Sequence, residues 1–448
     1  MSFTYNKIMK RLKFDEIKSG MMAVGFASTF KAGTNLIFGW GWLVVVYLML
    51  WVIWKVYLYI KMVDYVSAIS WTFLQVTIPE DSEQTPKAME NIFAVLDGIH
   101  KNPDLVERYF EGYLEAWYSC ELVCSKGRAK YVLVVPTVHK TFFEGVVYGQ
   151  YPEAEVVETQ DYTQVYDYKE IDKTFDLYGS EIVLTEDDIY PVKTYHNYED
   201  VFAEEEKFID PHQALVEAYT NVNENEQFWI QILIRPIDGK DIRKWADKGG
   251  EQIDKLAGKE TKKSRGIFSK FIEVISQLPA DAIKASVNGP LEAGKAVTRS
   301  SLDFPKISAG DTAKMDGILR KISMGGYRVK IRVLYVAPLG QLTKPNISRA
   351  IGGFKQFNTY NLNSFKPDPT TKTNGPNYVM KQTRRYRRKR EIFLAYQWRD
   401  FWGYDEGYMM SDEELATLYH FPTKYSKAPA FERAKAGVGG APENVPYV

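Results

Sequence analysis

The sequence has little cysteine, little histidine and no excess of either charge sign. Its 448 residues include two cysteines and five histidines, and 57 basic residues balance 57 acidic ones. A balanced charge gives no overall field that would draw the chain to nucleic acid or to acidic partners. The histidines show no metal-ligand spacing, so no metal site is expected. The length is sufficient for two or three domains with hydrophobic cores.

The two cysteines are too far apart for a disulfide if their segment is a strand. Cys120 and Cys124 are four residues apart, which at ~3.3 Å per residue separates their Cα atoms by ~13 Å. A disulfide requires less than about 7 Å. We therefore expect two reduced, inward-facing strand residues, as in a reducing compartment.

Catalytic signatures are also missing. The stretch GPLEAGKA, residues 289–296, is similar to a P-loop but has Ala296 in place of the Mg²⁺-ligating Ser or Thr, and the residues before it are helix-like. The sequence contains no G-x-S-x-G, H-E-x-x-H or C-x-x-C pattern. His139 is a lone loop histidine, for which a structural role is the simpler interpretation. We expect no catalytic residue, no cofactor, no small-molecule substrate and no enzymatic activity.

One long apolar run is present. Residues 36–54 read LIFGWGWLVVVYLMLWVIW, which is 19 residues without a charge and long enough to cross a ~30 Å hydrocarbon layer. We predict a transmembrane helix over residues 36–60. The alternatives are a buried core helix, which the uniform rather than amphipathic run disfavours, and a cleaved signal peptide, which its late start and length disfavour. Aromatic residues at both ends predict interfacial anchors: Trp40, Trp42, Trp51, Trp54 and Tyr57.

After the membrane segment the pattern changes to alternating strands and short helices. Over residues 70–160 the order is β-α-β-β-α-β, the ferredoxin-like arrangement. A second copy follows from residue 161, with Asp210 predicted as a helix N-cap. We therefore expect an α+β fold: a single N-terminal transmembrane helix followed by two ferredoxin-like (βαββαβ) α/β sandwich repeats.

The second copy carries an insertion at residues 240–325, between its two central strands. It is rich in Lys, Gly and Ala, and the stretch GIFSKFIEVISQL, residues 266–278, has one apolar helical face. That face would dock on the membrane surface, on a neighbouring subunit or on the parent domain.

The strongest local charge lies in KQTRRYRRKR, residues 381–390. Such a run is predicted either to contact phosphates of anionic lipid or nucleic acid, or to form a solvated face or a charge-protected edge strand. The predicted contact residues are Lys381, Arg384, Arg385, Arg387, Arg388, Lys389 and Arg390.

The C-terminal stretch SDEELATLYHFP, residues 411–422, followed by APAFERAKAGVGGAPENVP, resembles a junction in bacterial membrane-anchored proteins. Those proteins are related to the ATPases of type IV secretion and conjugation, and FNTYNLNSFKP, residues 357–367, is similar to the segment ahead of their junction. In that family a motor domain with a true P-loop follows the junction. Because this sequence ends at Val448, where the motor would begin, the resemblance transfers no nucleotide-binding residue.

The resemblance implies a non-catalytic scaffold or docking subunit of a type IV secretion-like or conjugation-like translocation complex. It would be a homo-oligomer in the bilayer, nucleic acid would be a further partner, and the tail would contact a translocase-type ATPase. The alternatives are an envelope-organising scaffold without a motor and a membrane-associated enzyme. The expected docking residues are Glu413, Leu415, Leu418, His420 and Phe421.

Topology is predicted in two conflicting ways. Basic residues are more numerous before the apolar run than after it, which by the positive-inside rule places the C-terminal region outside the cell. The resemblance requires this region in the cytoplasm, where ATP is, and we favour that orientation: a single-pass protein of the bacterial cytoplasmic membrane. The expected segments are a basic N-terminal segment 1–35, the span 36–60, repeats at 70–160 and 161–405, and a docking tail 406–448.

Overall fold

The computed structural model of the chain describes residues 42–80, 82–200, 207–208, 210–258, 308–374, 380–403, 405–423 and 433–434. The chain divides into two compact units. The first contains the apolar helix and Pro103–Leu114, and the second contains Ile69–Asn102 and everything from Glu115 onward. The P-loop-like stretch 289–296 and the apolar stretch 266–278 lie outside the described residues.

The first unit is dominated by helix α1, Trp42–Ser67. Among the described helices it is the one long and apolar enough to cross a membrane, and none of its residues is buried. This exposure excludes a soluble protein's core helix, because such a helix buries its apolar side chains. The predicted apolar helix is therefore confirmed as a helix.

The second unit is built on one large sheet. Its strands are β1 Trp71–Pro79, β2 Tyr118–Ser125, β3 Arg128–Pro136, β4 Glu155–Thr159, β5 Phe175–Leu184, β8 Gln227–Arg235, β9 Gly326–Pro338, β10 Phe365–Pro367, β11 Tyr408–Ser411 and β12 Arg433–Ala434. Within the described residues the strand order is β10-β5-β9-β8-β2-β3-β1-β12, with β4 also paired to β1 and β11 also paired to β9. Every pair is antiparallel except β1 with β12. A separate two-residue ribbon pairs β6 Glu199–Asp200 with β7 Lys207–Phe208.

The helices of the second unit include the four predicted in its two repeats and two that were not predicted, at 381–397 and 412–418. They are α2 Pro86–Leu96, α3 Lys140–Gln150, α4 Pro211–Thr220, α5 Gly239–Leu256, α6 Ala309–Ile322, α7 Lys344–Gly352, α8 Lys381–Gln397 and α9 Asp412–Leu418. Asp210 caps α4 as predicted, since its side chain accepts a hydrogen bond from the His212 amide. The described ends of the insertion are α5 and α6, which pack against each other.

The two halves of the sheet join along β2 and β8, which pair over their full length from Tyr118 with Ile234 to Ser125 with Gln227. Both faces of this junction are covered, and both strands are therefore rich in apolar residues throughout. One apolar core runs under α2, α3, α4, α7 and α9 across both halves. The sequence boundary at residue 160 is thus not a spatial boundary.

The opposite face of the sheet is covered by α8. Val123, Trp229 and Leu334 on the strands pack with Ile392 and Phe393 of α8 in a second apolar cluster. The basic run 381–390 is thus the first part of a helix, which corrects the alternative that it forms an edge strand.

Candidate anion-binding surface and the polar core beneath it

Helix α8 consists of two dissimilar parts. Its second part carries Ile392, Phe393 and Tyr396, which are buried against the sheet. Its first ten residues carry the seven basic residues that the sequence singled out, and its only acidic residue is Glu391. The buried part therefore holds the helix while the basic part remains at the surface.

The start of α8 lacks the usual stabilising features. Its N-cap residue, Met380, has a left-handed backbone with φ 57° and makes no side-chain capping bond, and no acidic residue lies in the first turn. A helix N-terminus carries partial positive charge, so each cation there costs about 0.3–1 kcal/mol. The basic helix start is thus maintained by tertiary packing and not by its own sequence.

Three of the basic residues make contacts within the chain that leave them less available to bind an external anion. Lys389 forms ion pairs with Asp172, at 2.5 Å, and with Asp176. Arg387 pairs with Glu391 at 2.7 Å. Arg390 lies over the Tyr168 ring, with its guanidinium carbon 5.1 Å from the ring centre.

Two others make hydrogen bonds only to neutral groups among the described residues. Arg385 donates to the Asn374 side-chain oxygen at 3.3 Å, and Arg388 donates to the Lys372 carbonyl at 2.9 Å. Neither acceptor is an acid, so these bonds orient the guanidinium groups without neutralising them. With Lys381 on the first turn, these two arginines contribute positive charge to this end of α8.

A buried polar ladder crosses the sheet beneath the C-terminal part of α8. Glu181, Arg332, Gln231 and Glu121 are cross-strand neighbours in one register row of four adjacent strands. The Arg332 Nε lies 3.0 Å from Glu181, an Arg332 Nη donates to Gln231 at 3.0 Å, and Gln231 Nε2 donates to Glu121 at 2.9 Å. All four side chains are buried, and each makes at least one contact within the ladder.

The ladder also terminates α8. Arg332 donates to the Ala395 carbonyl at 3.0 Å, and Gln231 donates to the Tyr396 carbonyl at 3.0 Å. These carbonyls belong to the last turn, where backbone acceptors lack helical partners and where a cation is electrostatically favourable. The ladder therefore fixes the position of α8 on the sheet.

Arg399 extends the ladder to the linker between the two halves. Its guanidinium lies 3.1 Å from Glu121 and 2.7 Å from Asp161. Burial is the largest single influence and raises the pKa of Asp161, but the hydrogen bonds and charge of Arg399 and the hydrogen bonds from Thr163 together leave that pKa below its usual value. Tyr162 donates to Glu121 at 2.8 Å. The linker is thus bound to the same rigid core.

Sequence reasoning found the basic run but not the ladder. The available signal was a polar residue among apolar neighbours in each strand: Glu121 in CELVC, Gln231 in IQILI, Arg332 in KIRVL and Glu181 in SEIVL. A polar residue buried in a strand needs a partner. Their shared row depends on register across four strands, which the sequence pattern did not give.

The predicted docking residues are not at the surface. Glu413, Leu415, Leu418, His420 and Phe421 are all buried in the chain's own core. The segment packs there because its apolar side chains join the core under the helices and its acids find internal cations. The prediction that these five side chains contact a partner protein is therefore corrected.

Internal bonds hold this segment firmly. Glu413 pairs with Arg320 at 2.8 Å, and Glu414 pairs with Lys321 at 2.9 Å. His420 lies between two acceptors, with Nε2 2.9 Å from Asp210 and Nδ1 2.8 Å from the Ala416 carbonyl. Because Asp210 also caps the start of α4, these contacts join the end of the segment to that helix.

The remaining histidines and cysteines have structural surroundings. Burial lowers the pKa of His212 to about 3, helped by the nearby His420, and burial lowers the pKa of the half-buried His139. Cys120 and Cys124 are free thiols buried in β2, and burial raises the pKa of both. No group of metal-binding side chains occurs among the described residues.

The predicted anchor residues Trp42, Trp51, Trp54 and Tyr57 all lie on α1. Trp54 and Tyr57 stack with ring centres 5.7 Å apart, and Lys55 lies over the Trp51 ring at 5.8 Å. Trp40 lies outside the described residues. Trp51, Trp54 and Tyr57 lie toward one end of the apolar run and Trp42 lies at the start of α1, and their role as interfacial anchors stays a prediction.

The described architecture covers nearly the same residues as a known sequence family. A family model described as Domain of unknown function (DUF8128) matches residues 74–433. The chain belongs to this family. Its match begins within β1 and ends within β12, and so it contains nearly the whole sheet, the polar ladder and α8. No curated protein matches the chain.

Proposed function

We propose that this DUF8128 protein is a membrane-anchored, non-catalytic platform of a type IV secretion-like or conjugation-like translocation complex, and that α8 binds phosphates of nucleic acid. The observation that carries the proposal is the basic start of α8, which is electrostatically unfavourable for folding and yet fixed on a rigid core. Local features that conflict with the stability of the fold are typical of functional sites.

The platform would consist of two ferredoxin-like repeats. The strand order β4-β1-β3-β2 in the first half and β10-β5-β9-β8 in the second supports this. In each half, the four strands in spatial order are the fourth, first, third and second strands of the ferredoxin-like β-α-β-β-α-β order, and each half has two helices in the corresponding places. Joining the halves edge to edge through β2 and β8 would leave β4 and β10 near the outer margins, where homo-oligomer contacts would form.

The basic side chains favour phosphate as the ligand. Arg385 and Arg388 are oriented by neutral acceptors and retain their charge, and guanidinium groups match phosphate geometry. Tyr386 is partly exposed between them and offers a ring for stacking. A mixture of arginine and tyrosine suits single-stranded nucleic acid better than a lipid headgroup, because a base can stack on the ring.

The test is oligonucleotide binding by the full-length protein in detergent micelles, followed by fluorescence anisotropy. Replacing Arg384, Arg385, Arg387 and Arg388 by Gln should weaken binding by about tenfold or more near physiological salt, and should flatten the salt dependence. A matched variant changes four exposed basic residues of α5 to Gln: Lys240, Arg243, Lys244 and Lys255.

The α5 variant should bind nearly as well as the wild type. Equal losses in both variants would show that overall charge and not α8 is responsible, and would overturn the proposal. If the α8 variant instead loses binding only to vesicles of anionic lipid, the surface is a membrane contact and not a nucleic-acid site.

The ATPase partner and the cytoplasmic orientation are part of the same proposal. Because α9 and its flanks are buried, contact with an ATPase would have to use the tail beyond residue 423. A single cysteine added after Val448 tests the orientation, since both native thiols are buried. Labelling of intact bacteria by an impermeant reagent would place this region outside the cytoplasm and exclude a cytoplasmic ATPase as its direct partner.

A further inference from the structure

The connection between α2 and β2 contains a short helical turn in the first unit. Residues 105–111 are helical, the last five of them as a π-turn. Asp104 and Glu107 cap its start by reciprocal hydrogen bonds of 3.0 and 2.7 Å between side chains and amides. Gly112 ends it with a left-handed φ of 75°. Both ends are therefore defined, as in a built element and not a loose loop.

This turn is attached to the second part of α1. The rings of Tyr109 and Trp54 lie 6.3 Å apart, and those of Tyr113 and Tyr65 lie 5.5 Å apart. Between these contacts Gly112 lies directly on the α1 backbone, where a Cβ atom would overlap the carbonyl group of Lys61. Two constraints therefore require glycine at this position: the left-handed φ and the close approach to the α1 backbone.

The turn carries large apolar side chains that nothing in the described chain covers. Leu105 is 73% exposed, Val106 55% and Phe110 60%. Tyr109, which contacts Trp54, is still 37% exposed. Four such residues within six positions, next to an equally exposed apolar helix, form a continuous apolar surface that water does not favour.

The depth of Trp54 indicates what covers this surface. Trp54 ends the uncharged run and is followed by Lys55, so it marks the boundary of the hydrocarbon layer. From there α1 continues to Ser67, about 20 Å further at 1.5 Å per residue. Because Tyr109 contacts Trp54, the turn lies at the level of the headgroups and the upper acyl chains.

We propose that residues 104–111 are a membrane-interface wedge, which inserts Leu105, Val106 and Phe110 between lipid headgroups beside α1. The wedge rests on the part of the proposed function in which α1 crosses the bilayer. It has a second consequence: α1 is kept in the mature protein, because cleaving it as a signal sequence would remove the support of the turn.

The experiment uses the full-length protein in vesicles and an environment-sensitive fluorophore on a single introduced cysteine. The native cysteines interfere little, since both are buried and burial raises their pKa. The test position is Phe110→Cys. A control position is Leu339→Cys, which is 49% exposed and follows β9 at the end of the sheet opposite the start of β1. A second control, Leu48→Cys, lies within α1.

Lipids with a nitroxide near the headgroup should quench most of the fluorescence at position 110, with a blue-shifted emission. They should leave position 339 unchanged, and nitroxides at the chain ends should quench position 48. Adding Gly112→Ala should reduce the quenching at position 110, because the turn can no longer lie against Lys61.

Quenching at position 48 without quenching at position 110 would overturn the wedge and leave the membrane anchor intact. Absence of quenching at both positions would overturn the anchor and the wedge together. Equal quenching at positions 110 and 339 would show nonspecific adsorption of the protein to vesicles and would also overturn the wedge.

Discussion

Helices α8 and α9 lie close together in the chain and have opposite charge at their N-termini. Helix α9 begins with a capping box between Ser411 and Glu414 and has three acidic residues in its first turn. Helix α8 begins without a side-chain cap and has no acid in its first turn. The first arrangement agrees with the helix dipole, and the second opposes it.

The comparison separates two uses of charge. The charges of α9 are directed inward, where Glu414 meets the buried Lys321, and they hold the C-terminal segment in the core. The charges at the start of α8 are directed outward and are balanced only in part. Helix α9, whose first-turn charges agree with the helix dipole, has a structural role. Helix α8, whose first-turn charges oppose the dipole, carries the surface that we propose binds phosphate. Four substitutions test this contrast, all measured by chemical unfolding of the full-length protein in micelles.

The largest effect is expected for Lys321→Met, which leaves Glu414 as a buried charge without its cation. Both side chains are only 1% exposed, so the free energy of unfolding should fall by about 3–5 kcal/mol. The double variant with Glu414→Gln should recover part of this loss, because it removes the remaining charge. A loss below about 1 kcal/mol for Lys321→Met would show that the pair does not hold α9.

A pH-dependent effect is expected at Asp412, the first residue of α9. Burial, with Asp97 and Glu90 nearby and Lys87 opposing them, raises its pKa to about 7. The folded state then binds a proton that the unfolded state releases near its ordinary value of 3.8. The stability from this group is present below pH 4 and is lost as the pH rises to 7.

Asp412→Asn should therefore gain stability over the wild type, on the order of 2 kcal/mol at pH 8 and much less at pH 5. Unfolding curves at the two pH values check this. A gain of the same size at both would assign the effect to packing and not to ionisation.

An intermediate effect is expected for the cap of α9. Ser411→Ala removes the side-chain acceptor for the Glu414 amide and should lower the free energy of unfolding by about 1 kcal/mol. Ser411→Thr is the matched control, because it keeps a hydroxyl acceptor without adding a carboxylate beside Glu414, and it should cost less. If alanine and threonine cost the same, the cap is not what stabilises the start of α9.

The smallest effect is a gain in stability. Lys381→Glu places an acid at the first position of α8 and should raise stability by about 0.3–1 kcal/mol, while it weakens oligonucleotide binding. Lys381→Gln should lie between the wild type and the glutamate variant in both measurements. A variant that loses stability together with binding would contradict the proposed contrast between α8 and α9.

Local patterns were sufficient for most elements. Alternation in SWTFLQVTIP and YRVKIRVLYVAP identified β1 and β9, and Asp210 with Pro211 marked the start of α4. Such features depend on neighbouring residues only, and hence they can be read from the chain. The basic run was found for the same reason, although its helical state was not, because the charges oppose the helix that packing forms.

The sequence by itself determined the apolar span, the strand and helix order, and which residues are basic. Tertiary structure alone decided that the tail residues Leu415, Leu418 and Phe421 enter the core, and that Glu121, Gln231, Arg332 and Glu181 share one row. A polar stretch such as DEEL is typical of an exposed segment, and only the positions of Lys321 and Arg320 allow it to be buried. Both outcomes depend on partners that are distant in the chain, and the free energy of burying a charge is set by those partners.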